Sequence, residues 1–192
     1  MSHHTVFVGL DYHQMSIQVC VLDARGEVLL NRSCENSTAV IKATVDRFCA
    51  ADVRVAVEAC CDSANLADEL VDRFGWCVSL AHAGYVSRMK QSPDKTDFGD
   101  ARLLADLLRV GYLPKVWLAP EYIRELRRLV RDREQLAAAK KATKLRCRAL
   151  LREQRVRGPL GRPWTMTWLD WLRNTPELSE QGRWVMDQHI ME

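Results

Sequence analysis

Four acidic residues in this chain, Asp11, Glu58, Asp97 and Asp100, are of a type and spacing that could hold a divalent metal ion. Asp97 and Asp100 stand three apart, so on a helix they project from one face, where two carboxylates repel unless a cation lies between them. The competing reading is an ordinary helix start, because acidic residues in a first turn are favoured by the macrodipole. Asp11 follows the run Val6-Phe7-Val8-Gly9-Leu10, and Glu58 closes Val53-Arg54-Val55-Ala56-Val57. Hard oxygen ligands suit Mg²⁺. Two such ions about 3.5–4 Å apart can activate a nucleophile and neutralise a leaving oxygen in phosphodiester chemistry. Gly9, on the same side of a strand as Asp11, leaves room for a backbone or a substrate beside the site.

The elements that must position these acids are legible in the hydrophobic pattern. Residues 5–10 form a short, nearly continuous apolar run, as expected of a central strand covered on both faces. Residues 16–22 alternate as a second strand, Asp23-Ala24-Arg25-Gly26 signals a turn, and residues 27–31 return as a third. Ser37 can cap a helix reaching Cys49, with Val40, Ile41, Val45 and Phe48 on one face. A strand over 53–58 precedes a helix capped by Asp62 or Ser63 and stopped by Gly75. A fifth strand covers 76–81 and a short helical segment covers 85–90. The helix carrying Asp97 and Asp100 has Leu103, Leu104, Leu107 and Leu108 as its apolar stripe and ends near Gly111. The order βββαβαβα predicts a mixed sheet with helices on its faces.

Charge is unevenly spread. Residues 1–100 hold nine Lys/Arg against fourteen Asp/Glu, whereas residues 121–157 hold thirteen against five. The second segment has no Gly or Pro after Pro120 and is rich in strong helix formers, which predicts one helix over 120–157. At 1.5 Å per residue it would run about 57 Å, too long to pack wholly against so small a domain. Ile123, Leu126, Val130, Leu136 and Leu150 make a broken heptad with Arg133, Lys140 and Lys144 near the seam, which suggests an antiparallel or dimeric arm. Arg124, Arg127, Arg128, Arg131, Lys140, Lys141, Lys144, Arg148, Arg152 and Arg155 form a basic face suited to nucleic-acid backbone, the alternative being a solvated helix face. Residues 158–163 read as a linker. Beyond them Trp164, Trp168 and Trp171 fall at helical spacing and are expected to be core, with base stacking the alternative.

Three stretches carry a resemblance: Val8-Gly9-Leu10-Asp11, Val55-Ala56-Val57-Glu58-Ala59, and Asp94-Lys95-Thr96-Asp97-Phe98-Gly99-Asp100-Ala101. Together they resemble the N-terminal domain of the IS-one-ten and Piv-type insertion-sequence transposases, which are DNA recombinases. The resemblance implies an α/β fold of RNase H-like (RuvC-like) type, a mixed sheet with flanking helices, followed by a helical, coiled-coil-like arm. It implies that Asp11, Glu58, Asp97 and Asp100 are the DEDD catalytic tetrad and bind Mg²⁺ or Mn²⁺. It further implies DNA as substrate, a bridge RNA as guide, and a homodimer or higher homo-oligomer through the arm. A second domain bearing a nucleophilic serine follows in that family. On this reading residues 1–118 are the catalytic domain, 119–157 the arm, 158–163 the linker and 164–192 the start of an incomplete second domain, and Ser179 is not taken as the nucleophile.

Composition narrows the alternatives. No apolar run approaches a membrane span and the N-terminus lacks a basic n-region, so a cytoplasmic protein is expected, and the resemblance implies a bacterial, nucleoid-associated one. Seven cysteines (Cys20, Cys34, Cys49, Cys60, Cys61, Cys77, Cys147) form no C-x-x-C pair and are expected to be reduced, buried thiols. A junction-resolvase-like nuclease, which needs only carboxylates, metal and water, remains an alternative, as does a non-enzymatic nucleic-acid scaffold. A phosphotransferase of the actin-like group is disfavoured, because Tyr12-His13-Gln14 stand where that hairpin needs glycine for nucleotide phosphates. His13 and His82 could approach the site, but lone histidines are more often structural, and they are left out of it.

Overall fold

The computed structural model of the chain describes residues 4–60, 62–89 and 96–191. Cys61, Ser92-Pro93 and the Asp94-Lys95 half of the acidic motif lie outside the described residues. The chain divides into two units, Met1–Leu118 and Ala119–Glu192.

The first unit is built on a six-stranded mixed sheet in the order β3-β2-β1-β4-β5-β6. Its strands are β1 (Thr5–Tyr12), β2 (Ser16–Leu22), β3 (Val28–Glu35), β4 (Asp52–Glu58), β5 (Cys77–Ala81) and β6 (Lys115–Val116). β1 pairs antiparallel with β2 and parallel with β4, which pairs parallel with β5. The helices are α1 (Thr38–Val45), continued by a 3-10 turn at Asp46–Phe48, then α2 (Ser63–Phe74), α3 (Ala83–Met89) and α4 (Asp97–Arg109). This is an RNase H-like α/β fold. β1 runs to Tyr12, so Asp11 lies within the strand rather than after it, because Asp11 and Tyr12 continue the ladder opposite Gln18 and Ile17. β6 carries no signal in sequence. Its short ladder pairs Leu80 with Val116 and Ala81 with Lys115.

The alternation of β1 sorts the first unit into two cores. Val6, Val8 and Leu10 are fully buried on one face with Val55 and Val57, under Ile41 and Val45 of α1 and Leu66, Ala67 and Leu70 of α2. The other face carries Phe7, Cys20, Leu22, Ala56 and Ala81 under Ala101, Leu104, Ala105 and Leu108 of α4. Gly9 belongs to this second face and marks the closest approach of α4. A methyl group added there would overlap the Ala101 carbonyl oxygen and come within 2.7 Å of the Ala105 nitrogen. The room expected at Gly9 is therefore taken by helix backbone.

The second unit holds α5 (Glu121–Glu153), α6 (Met166–Asn174) and α7 (Glu180–Met191). α5 stops four residues short of the expected 157. Arg155 takes a left-handed φ of 56°, and Val156 N donates to Leu151 O (2.8 Å) while Arg155 N donates to Arg152 O (3.1 Å). That is a Schellman closure, completed by burial of Val156 with Leu151. These residues share a core with Cys147, Trp168, Leu172, Leu178 and Met186. The tryptophan stripe is thus mainly core. Trp168 is 7% exposed, whereas Trp164 precedes α6 at φ 69°. The Arg183 guanidinium donates to the carbonyls of Leu172, Arg173 and Thr175, closing the C-terminal end of α6. Ser179 caps α7: its hydroxyl accepts from Gly182 N and Gln154 Nε2, both at 3.0 Å.

Of the described cysteines, Cys20 and Cys147 are buried, while Cys49, Cys60 and Cys77 are exposed. The expectation of buried thiols fails at these three: Cys49 closes the 3-10 turn, Cys60 follows β4 and Cys77 opens β5. Among the described residues no helix is long and apolar enough to cross a membrane.

The Gly9 contact generates a prediction. Gly9→Ala must push helix backbone aside, since no flexible side chain can yield. The cost should reach the upper end of the ~1–3 kcal/mol typical of overpacking, read as a lowered midpoint in thermal or urea denaturation.

Candidate metal centre

The sheet register brings the strand-borne acids together. Gly9 pairs with Ala56 and Leu10 with Val57 in the parallel β1–β4 ladder, so the next step sets Asp11 abreast of Glu58. Period-two alternation puts both side chains on the face that carries Gly9 and Ala56, beneath α4. Glu58 in turn pairs with Ala81 of β5.

α4 supplies the other two acids from its first turn. Thr96 is its N-cap, the hydroxyl accepting from Gly99 N at 3.1 Å, and Asp100 N donates to Thr96 O at 2.9 Å. Asp100 is 9% exposed, whereas the Asp97 side chain is 56% exposed. The helix start is tied to the sheet by a short relay. Gln18, opposite Asp11 on β2, donates through Nε2 to Asn31 Oδ1 (2.7 Å), and Asn31 Nδ2 donates to the Phe98 carbonyl (2.9 Å). Two polar side chains on β2 and β3 thereby fix the backbone between Asp97 and Asp100.

Electrostatics record the convergence. Burial raises the Asp11 carboxyl above its ordinary value of 3.8; His13 pulls it back, and the charges of Asp97, Asp100 and Glu58 each push it up again. Three acids from two other elements therefore lie close enough to resist ionisation of Asp11. Asp11 Oδ2 is also buried without a hydrogen-bond partner. A buried, orphaned carboxylate oxygen among like charges fits a cation, so the residues present suit the Mg²⁺ that the four acids suggest.

His13, read from the sequence as structural, stands inside this cluster. Its Nε2 lies 3.4 Å from Asp11 Oδ2 and 3.4 Å from Asp97 Oδ1. The signal for it was the alternation that sets Gly9 beside Asp11, since the next position on that side is 13. His82 does not join the donors: its ring packs on Tyr85, with centroids 4.6 Å apart.

The basic residues belong to the second unit and do not form one stripe. Arg124, Arg127, Arg128 and Arg131 share one face of α5 at spacings of three and four. Arg124 is drawn to the Ala119 carbonyl at 2.7 Å. Lys140 and Lys144 instead line a groove of about 710 Å³ with Trp164 and Arg173. Lys144 and Arg148 lie 5.1 and 5.7 Å from the Trp164 ring centroid. Lys141, Arg152 and Arg155 are exposed.

Residues 8–155 match the family model of DEDD transposases of the IS110 (IS-one-ten) type, described as a transposase. No curated protein matches the chain.

The raised Asp11 pKa fixes the sign of a pH effect in the metal-free protein. A carboxyl that binds its proton more tightly when folded costs stability as pH rises from 3.8 through its raised value, and that cost persists at neutral pH. Asp11→Asn removes it. In chelator at pH 7 the variant should melt above the wild type, and the gap should close as pH falls toward 3.8, measured by thermal denaturation across the pH series.

Proposed function

The chain belongs to the DEDD transposase family of the IS110 type, and from that premise we propose that Asp11, Glu58, Asp97 and Asp100 hold Mg²⁺ or Mn²⁺ against a DNA phosphodiester. The observation that carries this reading is the push on Asp11 from the other three acids, which come from β4 and α4. Bound there, divalent ions would polarise phosphate oxygens and neutralise developing charge. The chain's own part is positioning. Gly9 lets α4 approach β1, Thr96 caps the turn that presents Asp97 and Asp100, and the Gln18–Asn31 relay pins the Phe98 carbonyl.

Residues 1–118 act on this proposal as the catalytic domain and 119–157 as an arm, with 158–163 linking to 164–192 as the start of a serine-bearing domain. The nucleophile is that domain's serine, and a bridge RNA directs the chain to its DNA. Ser179, committed to capping α7, is no candidate. The arm's basic residues contact phosphates of RNA or DNA, positioning rather than specifying, and binding then falls steeply with salt.

The reading is tested by titrating Mg²⁺ calorimetrically into the wild type, Asp97→Asn and Asp100→Asn. Each substitution should weaken binding at least ten-fold, about 1.4 kcal/mol. Unchanged affinity in both variants would overturn it. In cells with the complete system, Asp97→Asn should abolish recombination and spare RNA binding, while retained recombination would favour a non-enzymatic scaffold. Cleavage of branched DNA by this chain with Mg²⁺ would favour a stand-alone nuclease.

The arm is proposed to pair two copies. Tyr122, Leu126, Leu129 and Leu136 are 69, 56, 66 and 72% exposed on one seam of α5, which Arg133 and Lys140 interrupt. Parallel pairing would set Arg133 against Arg133 and Lys140 against Lys140 in the seam. Antiparallel pairing sets Leu126 against Leu136, Leu129 against Arg133 and Tyr122 against Lys140, with Asp132 and Glu125 flanking the two cations. Leu129→Glu should therefore convert a dimer to a monomer in sedimentation or light scattering, and a monomeric wild type would sink the pairing.

A further inference from the structure

We propose that His13 is a direct metal ligand through Nε2, which makes one position of the acidic site a mixed nitrogen–oxygen site selective for a first-row transition cation such as Mn²⁺ over Mg²⁺. The inference rests on the metal-centre reading above and goes beyond its four carboxylates.

His13 follows the last residue of β1, and its backbone is held on both sides. His13 N donates to Ser16 O at 3.0 Å across the hairpin, and Asn36 Nδ2 donates to the His13 carbonyl at 2.9 Å. The imidazole is thus placed by the turn. Its Nε2 sits 3.4 Å from one oxygen of Asp11 and 3.4 Å from one oxygen of Asp97. Nε2 and Asp11 Oδ2 are both buried atoms that make no hydrogen bond. A histidine serving only to pair with a carboxylate would bring its N–H to about 2.8 Å in line with an oxygen. Here the nitrogen stands equidistant from two carboxylates and bonded to neither. The three donor atoms, one each from Asp11, His13 and Asp97, lie within 4.8 Å of one another. That spacing suits ligands arranged around one ion, where bonds near 2.1 Å put neighbouring donors about 3 Å apart and opposite donors about 4.2 Å apart.

The donor set determines the preference. Carboxylate and water oxygens serve Mg²⁺ and Mn²⁺ alike, but Mg²⁺ gains little from imidazole, whereas affinity for nitrogen donors climbs through the first-row divalent series. Replacing one oxygen by His13 Nε2 therefore tilts the site toward the transition ion without excluding Mg²⁺ from the carboxylates.

The test uses the full chain with Mn²⁺ and Mg²⁺ alone as probes. In pulsed electron paramagnetic resonance, Mn²⁺ bound to the wild type should show coupling to an imidazole nitrogen, absent in His13→Ala and in His13→Gln. By calorimetry, His13→Ala should weaken Mn²⁺ at least ten-fold and Mg²⁺ less than three-fold. His13→Gln, which returns an oxygen donor of similar reach, guards against a variant that misfolds. Absence of nitrogen coupling in the wild type, or equal losses for both ions, would overturn His13 ligation while leaving the four-carboxylate reading in place. A wild type that binds neither ion would overturn both.

Discussion

The close approach of α4 to β1 at Gly9 is the constraint on which the first unit depends. Backbone meets backbone there, with Ala101 and Ala105 on the helix side. Small residues on both partners set the distance between a strand carrying Asp11 and a helix carrying Asp97 and Asp100. With a larger residue at position 9 the helix would ride further from the sheet, and the acids would part. The specificity of the centre thus begins with the absence of a side chain.

Once that distance is set, like charges are forced together, and the fold distributes the cost unequally. Asp97 and Asp100 stand in the first turn of α4, where the helix macrodipole and free N–H groups favour negative charge. Asp11 stands mid-sheet, where no such compensation exists, and its pKa carries the strain. His13 is the neighbour that opposes the repulsion. The cost of ionising Asp11 among these charges is what a cation bound there, as proposed, would offset.

Much of this was legible in the chain. The apolar runs ending in Asp11 and Glu58, the Gly75 stop and the first-turn acids led to the sheet, the helices and the four carboxylates, because each depends on local pattern. What escaped depends on distant partners. β6 exists because a two-residue segment meets β5, with the Pro114 carbonyl accepting from His82 N. The end of α5 escaped because Arg155, no usual helix stop, takes a left-handed turn when Val156 is drawn into the core. α7 was hidden by Gly182, a poor helix residue. Yet any side chain there would strike the Gln154 amide, which holds Ser179. His13 was set aside because a lone histidine is more often structural, although the alternation of β1 puts position 13 on the side of Gly9 and Asp11, and the hairpin turn holds it there.

The two acids of α4 differ in a way that bears on how the centre assembles. Asp100 is buried against the sheet, fixed by the same packing that fixes Ala101 and Leu104. Asp97, one turn earlier, is more than half exposed, with His13 Nε2 3.4 Å from its Oδ1. The relay through Gln18 and Asn31 reaches the Phe98 carbonyl, beside Asp97 and not on it. One side of the centre is therefore rigid, made of Asp11, Glu58 and Asp100 on packed elements. The other, Asp97, is exposed, so ligation there, as proposed, would cost the entropy of ordering its side chain. On the proposed metal-centre reading, the three packed carboxylates would form a preformed half-site and Asp97 would complete it from the solvent side.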